Sequence, residues 1–134
     1  MTPSSAIWTP RILSILRIVS GYLLIAHGTT KILSIPATQM SGVPIASMYG
    51  ASGLIELIFG ALLVIGLFTQ FAAFIASGFT AAAYFIGHVA PKGHLLSPLL
   101  NGGELAVLFC FVFLFIAFAG GGPWSVDALR KKSV

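Results

Sequence analysis

Apolar residues run almost unbroken through four stretches of this chain. Glycine, proline and polar residues separate them. The stretches cover about Ile12–Ile35, Ala51–Thr69, Phe71–Ala90 and Leu105–Ala119. A helix that crosses a bilayer needs about 20 apolar residues, with a range of about 17–25. The first three meet that length. The fourth meets it when Asn101–Glu104 and Gly120–Gly122 supply its interfacial ends. The runs do not alternate, and they are about twice as long as the strands of a membrane barrel. The pattern predicts an all-α membrane protein: an antiparallel bundle of four transmembrane helices. Residues 1–134 then form one domain, with helices at about 12–35, 51–69, 71–90 and 104–120.

The breaks between the helices are explicit. Ile35-Pro36 stops the first. Gly42, Pro44 and Gly50 mark a long loop after it. Gly66–Gln70 is short enough to make the second and third helices a hairpin. Pro91, Gly93, Pro98, Gly102 and Gly103 mark a second long loop, and Gly120–Pro123 stops the fourth helix.

Composition agrees with this picture. The chain is 57% hydrophobic and only 7% charged, with a mean hydropathy of +1.03. A soluble domain carries roughly 25% charged residues, so the natural partner of this surface is the lipid bilayer. The net charge of +4 points to membrane orientation rather than to nucleic acid, which is excluded as a partner. Arg11 and Arg17 flank the start, and Arg130, Lys131 and Lys132 close the chain. The two long loops hold only Lys31 and Lys92. Basic residues mark the cytoplasmic side, which places both termini there. A signal peptide with Ile12–Ala26 as its apolar core is the competing reading; Arg17 within that run, and the lack of a small-x-small cleavage site, oppose it. The single cysteine, Cys110, excludes an intramolecular disulfide and a two-cysteine redox relay.

Ionisable groups inside a span cost about 2.5–3.5 kcal/mol each on insertion scales, so those present need compensation. Here they are Arg17, His27, Lys31, Glu56, His88 and Glu104. Helix direction brings five of them to one layer near the outer face, because Glu56 lies only about 7–8 Å inside its helix at 1.5 Å per residue. Arg17 stands apart, near the cytoplasmic interface. His27 and Lys31 are four residues apart and share a face, as do Tyr84 and His88. Gly21 and Gly28 follow the stripe of Arg17 and Lys31, and Gly60 follows that of Glu56. Small residues beside polar ones mark the packed face of a membrane helix, so His27, Lys31 and Glu56 belong inside the bundle.

Simpler roles stand beside each of these. Lys31 could snorkel to the headgroups, His27 could be an interfacial hydrogen-bonding group, and His88 could be half hydrated at a helix end. Glu104 suits the positive start of the fourth helix, and Arg17 suits lipid phosphates. Glu56, among Leu54, Ile55, Leu57 and Ile58, is hardest to dismiss. It must be paired with a cation or protonated. Trp124 reads as an interfacial anchor, with Ser125 capping a short turn that holds Asp127 near its positive end. No compact metal-ligand spacing exists, so no metal is assigned. Phosphate-loop, nucleophile-elbow and haem-attachment motifs are absent. An apolar cleft with a few polar groups suits a quinone, and His27, Lys31, Glu56 and Tyr84 are compatible with one.

Four segments together resemble the DoxX family. They are RIVSGYLLIAHGTTKIL at Arg17–Leu33, SGLIELIFGALLVIGLFTQFAAF at Ser52–Phe74, NGGELAVL at Asn101–Leu108 and GGGPWSVDAL at Gly120–Leu129. The match runs in order over nearly the whole chain. The resemblance implies a four-helix protein of the bacterial inner membrane. It also implies links to a membrane subunit of thiosulfate:quinone oxidoreductase and to complexes handling thiol and oxidative stress. The positions it carries over are Arg17, Gly21, His27, Gly28, Lys31, Glu56, Gly60, Gly66, Gly103, Glu104, Ser125 and Asp127.

The leading expectation is a quinone-associated subunit of a membrane oxidoreductase system. Its polar cluster is His27, Lys31, Glu56, Tyr84, His88 and Glu104, and Arg17, Gly21, Gly28, Gly60, Trp124 and Asp127 are structural or interfacial. A non-catalytic anchor or scaffold is one alternative, and a small-solute or proton-coupled transporter is another. Whether the chain is an enzyme, whether it self-associates and whether it has an oxidoreductase partner subunit stay open.

Overall fold

Small side chains on one stripe of the first helix set the packing of the whole bundle. The computed structural model describes residues 3–132, and every regular element among them is helical. Residues 1–2 and 133–134 lie outside that description, as does the side chain of Lys132, which the charge argument counted. Helix α1 spans Pro3–Leu33 and α2 spans Met48–Ile65. Helix α3 spans Thr69–Lys92, with Tyr84–Val89 wound as a π-helix. A single turn, α4, covers Pro98–Asn101. Helix α5 spans Glu104–Ala119 and α6 spans Val126–Lys132.

The buried stripe of α1 is Ser14, Arg17, Ser20, Gly21, Leu24, Gly28 and Lys31, spaced by threes and fours as a helix face requires. It packs along α2. A Cβ on Gly21 would stand 3.0 Å from the Gly60 carbonyl, and one on Gly28 would stand 2.8 Å from that of Gly53. Backbones this close leave no room for side chains, which is the usual way membrane helices associate when lipid is as apolar as leucine. Helix α3 packs on α5 in the same manner through Ala72, Ala73 and Ala76, against Phe109, Phe113 and Ile116. Phe109 and Phe113 stack with ring centroids 5.4 Å apart.

The large residues face outward. Phe71, Phe74, Phe111 and Phe115 are exposed, and Phe118 is 81% exposed. This inverts the soluble arrangement, in which so large an apolar surface would aggregate. Three helices, α1, α2 and α3, are long and apolar enough to cross a membrane; α5, with 16 residues, is shorter. The protein is a multi-pass membrane protein.

Several boundaries differ from those expected, among them those of α2, which spans Met48–Ile65 rather than 51–69. Helix α1 begins at Pro3, not near residue 12, because Pro10 is accommodated inside the helix. Helix α3 runs on to Lys92. Pro91, expected in the loop that follows the helix, falls in its last turn, just after the π-helix.

The α2–α3 turn is tight. Gly66 takes φ 71° and its amide bonds the Leu62 carbonyl at 2.9 Å, with Leu67 donating to the same oxygen at 3.0 Å. That conformation favours glycine. A Cβ there would also stand 2.9 Å from the Arg17 guanidinium carbon.

A candidate site at the Lys31–Glu56 pair

Glu56 sits on the buried stripe of α2 and is 5% exposed. Lys31, from the last turn of α1, reaches it: Nζ donates to Glu56 Oε1 at 2.7 Å and to Ser52 Oγ at 2.9 Å. Gly53 makes this reach possible, since a Cβ there would meet Lys31 Cβ at 3.2 Å. A lone charge at this depth would be expensive; a contacting ion pair offsets most of its desolvation. The second carboxylate oxygen, Glu56 Oε2, is buried without a hydrogen-bond partner.

The pair forms one wall of a cavity of about 780 Å³ between α1, α2, α3 and α5. Thr30, Lys31, Ser52, Glu56, His27 and His88 supply its polar lining. Leu24, Ile55, Phe79, Ile86, Leu105 and Phe109 supply apolar walls, and Thr38, Met40, Met48 and Tyr49 flank it from the first long loop and the start of α2. His27 packs edge-on to Phe109, with ring centroids 6.4 Å apart.

The sequence-selected residues therefore separate. His27, Lys31, Glu56 and His88 line one cavity. Tyr84 lies behind that wall: its hydroxyl donates to the Leu95 carbonyl at 2.8 Å and accepts from Asn101 Nδ2 at 3.2 Å. The π-helix places Tyr84 and His88 in a stack, with ring centroids 6.4 Å apart. Glu104 is exposed and faces a different, shallower depression of about 550 Å³, beside Leu96–Leu100, Val107, Leu108 and Phe111. Among the described residues, no three His, Cys, Asp or Glu side chains gather as a metal-ligand set.

Asn101 organises the second long loop, a role that sequence reasoning missed. It is fully buried, its amide nitrogen bonds the Gly93 and His94 carbonyls, and its Oδ1 accepts from the Gly103 amide at 2.9 Å. Its backbone carbonyl lies 3.2 Å from His88 Nδ1 and accepts from Lys92 Nζ at 3.2 Å. An asparagine directly before two glycines is the signal that could have identified it. Ser52, one turn before Glu56, was legible by the same four-residue spacing.

The opposite end of the bundle is closed by a second cation. Arg17 is fully buried, so it does not reach lipid phosphates. Its Nε donates to the Gly121 carbonyl at 2.9 Å, Nη1 to Val64 at 2.7 Å and to Leu63, and Nη2 to Trp124. It thus ties α1 to the carbonyl end of α2, where a cation suits the helix dipole, and to the segment after α5. Gly21, Gly28 and Gly60 lie in the α1–α2 contact described above. Trp124 is half exposed. Ser125 caps α6, accepting from the Ala128 amide at 3.2 Å. Asp127 lies in the first turn of α6, as expected, and also caps α3: its carboxylate accepts from the Phe68 amide at 3.0 Å and the Thr69 amide at 2.8 Å. Partial burial works against its charge, yet those amides and the Arg130 charge hold its carboxyl below the ordinary value of 3.8.

Apolar spanning helices packed through glycine, with a buried Lys–Glu pair beside a cavity, define a class of small multi-pass membrane protein. The comparisons identify which one. The DoxX family profile matches residues 12–89. The chain is 44% identical over 122 residues to an uncharacterized protein of Haemophilus influenzae, covering 90% of this chain and 91% of that one. No solved structure matches. This chain belongs to the DoxX family.

Proposed function

We propose that this protein binds the head group of a membrane quinone in the cavity beside Lys31 and Glu56, as a subunit associated with a membrane oxidoreductase. In this reading it crosses the bacterial inner membrane four times, with both termini cytoplasmic. Helix α5 completes its crossing with Gly102–Gly103 and Gly120–Gly122 at its ends. The observation that carries the reading is the lining of the cavity. Its walls are largely apolar, and a few hydrogen-bonding groups line it together: Lys31, Ser52, Glu56 and His27. A quinone ring needs apolar faces and a small number of polar groups for its oxygens. The buried charge pair keeps those groups in place without a net charge in the bilayer.

The test is thermal stability in mild detergent, with and without a short-chain quinone. A ligand that binds only the folded state raises apparent stability in a saturable way. The shift is expected in the wild type and is lost in Glu56→Gln and His27→Ala. If the wild type shows no shift and both variants are simply less stable, the cluster only holds the bundle together, and a membrane scaffold becomes the better reading.

A further inference from the structure

Resting on the quinone reading, we infer that the cavity is built for the reduced, hydroxyl-bearing form of the ring, a quinol, rather than for the oxidised form. The reason lies in which hydrogen-bonding positions the protein leaves open. Glu56 Oε1 is taken by Lys31, but Oε2 is buried with no partner. A buried carboxylate oxygen left unpaired is costly, and an ionised carboxylate only accepts hydrogen bonds. The missing partner must therefore be a donor. Lys31 is the complement. Its ammonium has three N–H groups, of which Ser52 and Glu56 occupy two. The third is open to an acceptor.

One chemical group answers both needs. An aromatic hydroxyl accepts from Lys31 through its oxygen and donates a hydrogen bond through its O–H to Glu56 Oε2. Oε2 itself has no exposed surface, so the carboxylate turns about its broad terminal torsion to present that oxygen to the cavity Glu56 lines. A quinone carbonyl satisfies Lys31 alone. It also sets its own lone pairs against those of Oε2, leaving the carboxylate oxygen unpaired. A hydrogen bond from a neutral donor to a charged acceptor is among the stronger kinds. The two redox forms share ring size and apolar faces, so the rest of the cavity does not distinguish them.

The experiment compares three ligands of one ring on the purified wild-type protein: a short-chain benzoquinone, its hydroquinone kept reduced under anaerobic conditions, and the dimethyl ether of that hydroquinone. Binding is read as a saturable shift in thermal stability. The expected result is that the hydroquinone binds about ten-fold or more tightly than the quinone, as one charge-assisted hydrogen bond allows. The ether, which is reduced but has no donor, loses the advantage. Glu56→Gln, which is expected to lose the shift itself, is not needed to read the preference. Because the ether comparison is made on the wild type, the inference stays testable if Glu56→Gln does not fold. Equal affinities, tighter quinone binding, or an ether as tight as the hydroquinone overturns the preference while leaving a quinone site standing. No shift with any of the three removes the quinone reading, and this inference with it.

Discussion

Replacing Arg17 by alanine removes the cation at the closed end of the bundle, and the structure sets the size of the loss. The guanidinium is 0% exposed and donates to four carbonyls, those of Leu63, Val64, Gly121 and Trp124. Leu63 keeps a second donor in the Gly66 amide at 3.2 Å, and Gly121 keeps only a long contact of 3.5 Å from Ser14 Oγ. Val64, Gly121 and Trp124 therefore lose their principal partner. Each buried acceptor left unpaired costs about 1–3 kcal/mol, so the total is on the order of 3–6 kcal/mol after water repairs the most accessible of them. At roughly 3–5 °C per kcal/mol for a chain of this size, the melting temperature should fall by about ten degrees or more. Lysine in the same place reaches fewer of the four carbonyls and should recover about half of the loss. The chain has two tryptophans, Trp8 and Trp124, and Arg17 bonds the backbone of the second. Intrinsic fluorescence during heating therefore reports on this end directly. A lipid-phosphate anchor predicts something else: full rescue by lysine, and a loss that depends on anionic lipid. An Arg17→Ala variant that melts within about three degrees of the wild type, less than one kcal/mol by the same conversion, refutes the clamp.

Much of this architecture could be read from the chain, and the parts that could not share a cause. Helix existence and the glycine stripe follow from local pattern, since Gly21, Gly28, Gly60 and the ionisable groups recur at helical spacing. That Lys31 and Glu56 lie at one level followed from depth, because two helices of opposite direction bring residues near one end of each to the same level; that they pair is seen in the structure. Periodicity says which face a residue occupies but not which neighbour that face meets. Glu104 shares the depth of Glu56, yet its face of α5 turns toward α4. Tyr84 shares a face with His88, yet the π-helix that follows sets it against Asn101. Arg17 looked interfacial because its partners are backbone carbonyls, and no sequence pattern announces those. Asp127 lies in the first turn of its own short helix, as expected, but it also caps α3 from about sixty residues away in sequence, a pairing visible only once the Gly66 turn and the C-terminal segment have met.

Three further outcomes follow from the same geometry. Lys31→Met should cost about 3–5 kcal/mol by stranding Glu56, whereas Lys31→Met combined with Glu56→Met should cost less than the single change; thermal melts of the four species in one detergent measure the coupling. Gly28→Ala should destabilise by about 1–3 kcal/mol, since its Cβ would stand 2.7 Å from Leu57 Cγ, while Gly78→Ala, with nothing within 4 Å, should be neutral or slightly stabilising; equal melting temperatures for the two variants would contradict the close α1–α2 contact. The last concerns Asp127 and pH. Its carboxyl is held below 3.8 in the folded protein, so the folded state binds its proton more weakly than the unfolded chain. The stabilisation is then complete above the unfolded value, near 4, and is lost as pH falls through the folded one. Asp127 is only partly buried, so the amount at stake is that of an ordinary helix cap, about 1 kcal/mol. Melting curves of the wild type and Asp127→Asn should converge as pH drops from 5 toward 3, because the other acids titrate equally in both proteins and cancel. A gap that stays constant across that range would mean the carboxylate's charge contributes nothing, and that the α3 cap works as well with a neutral amide.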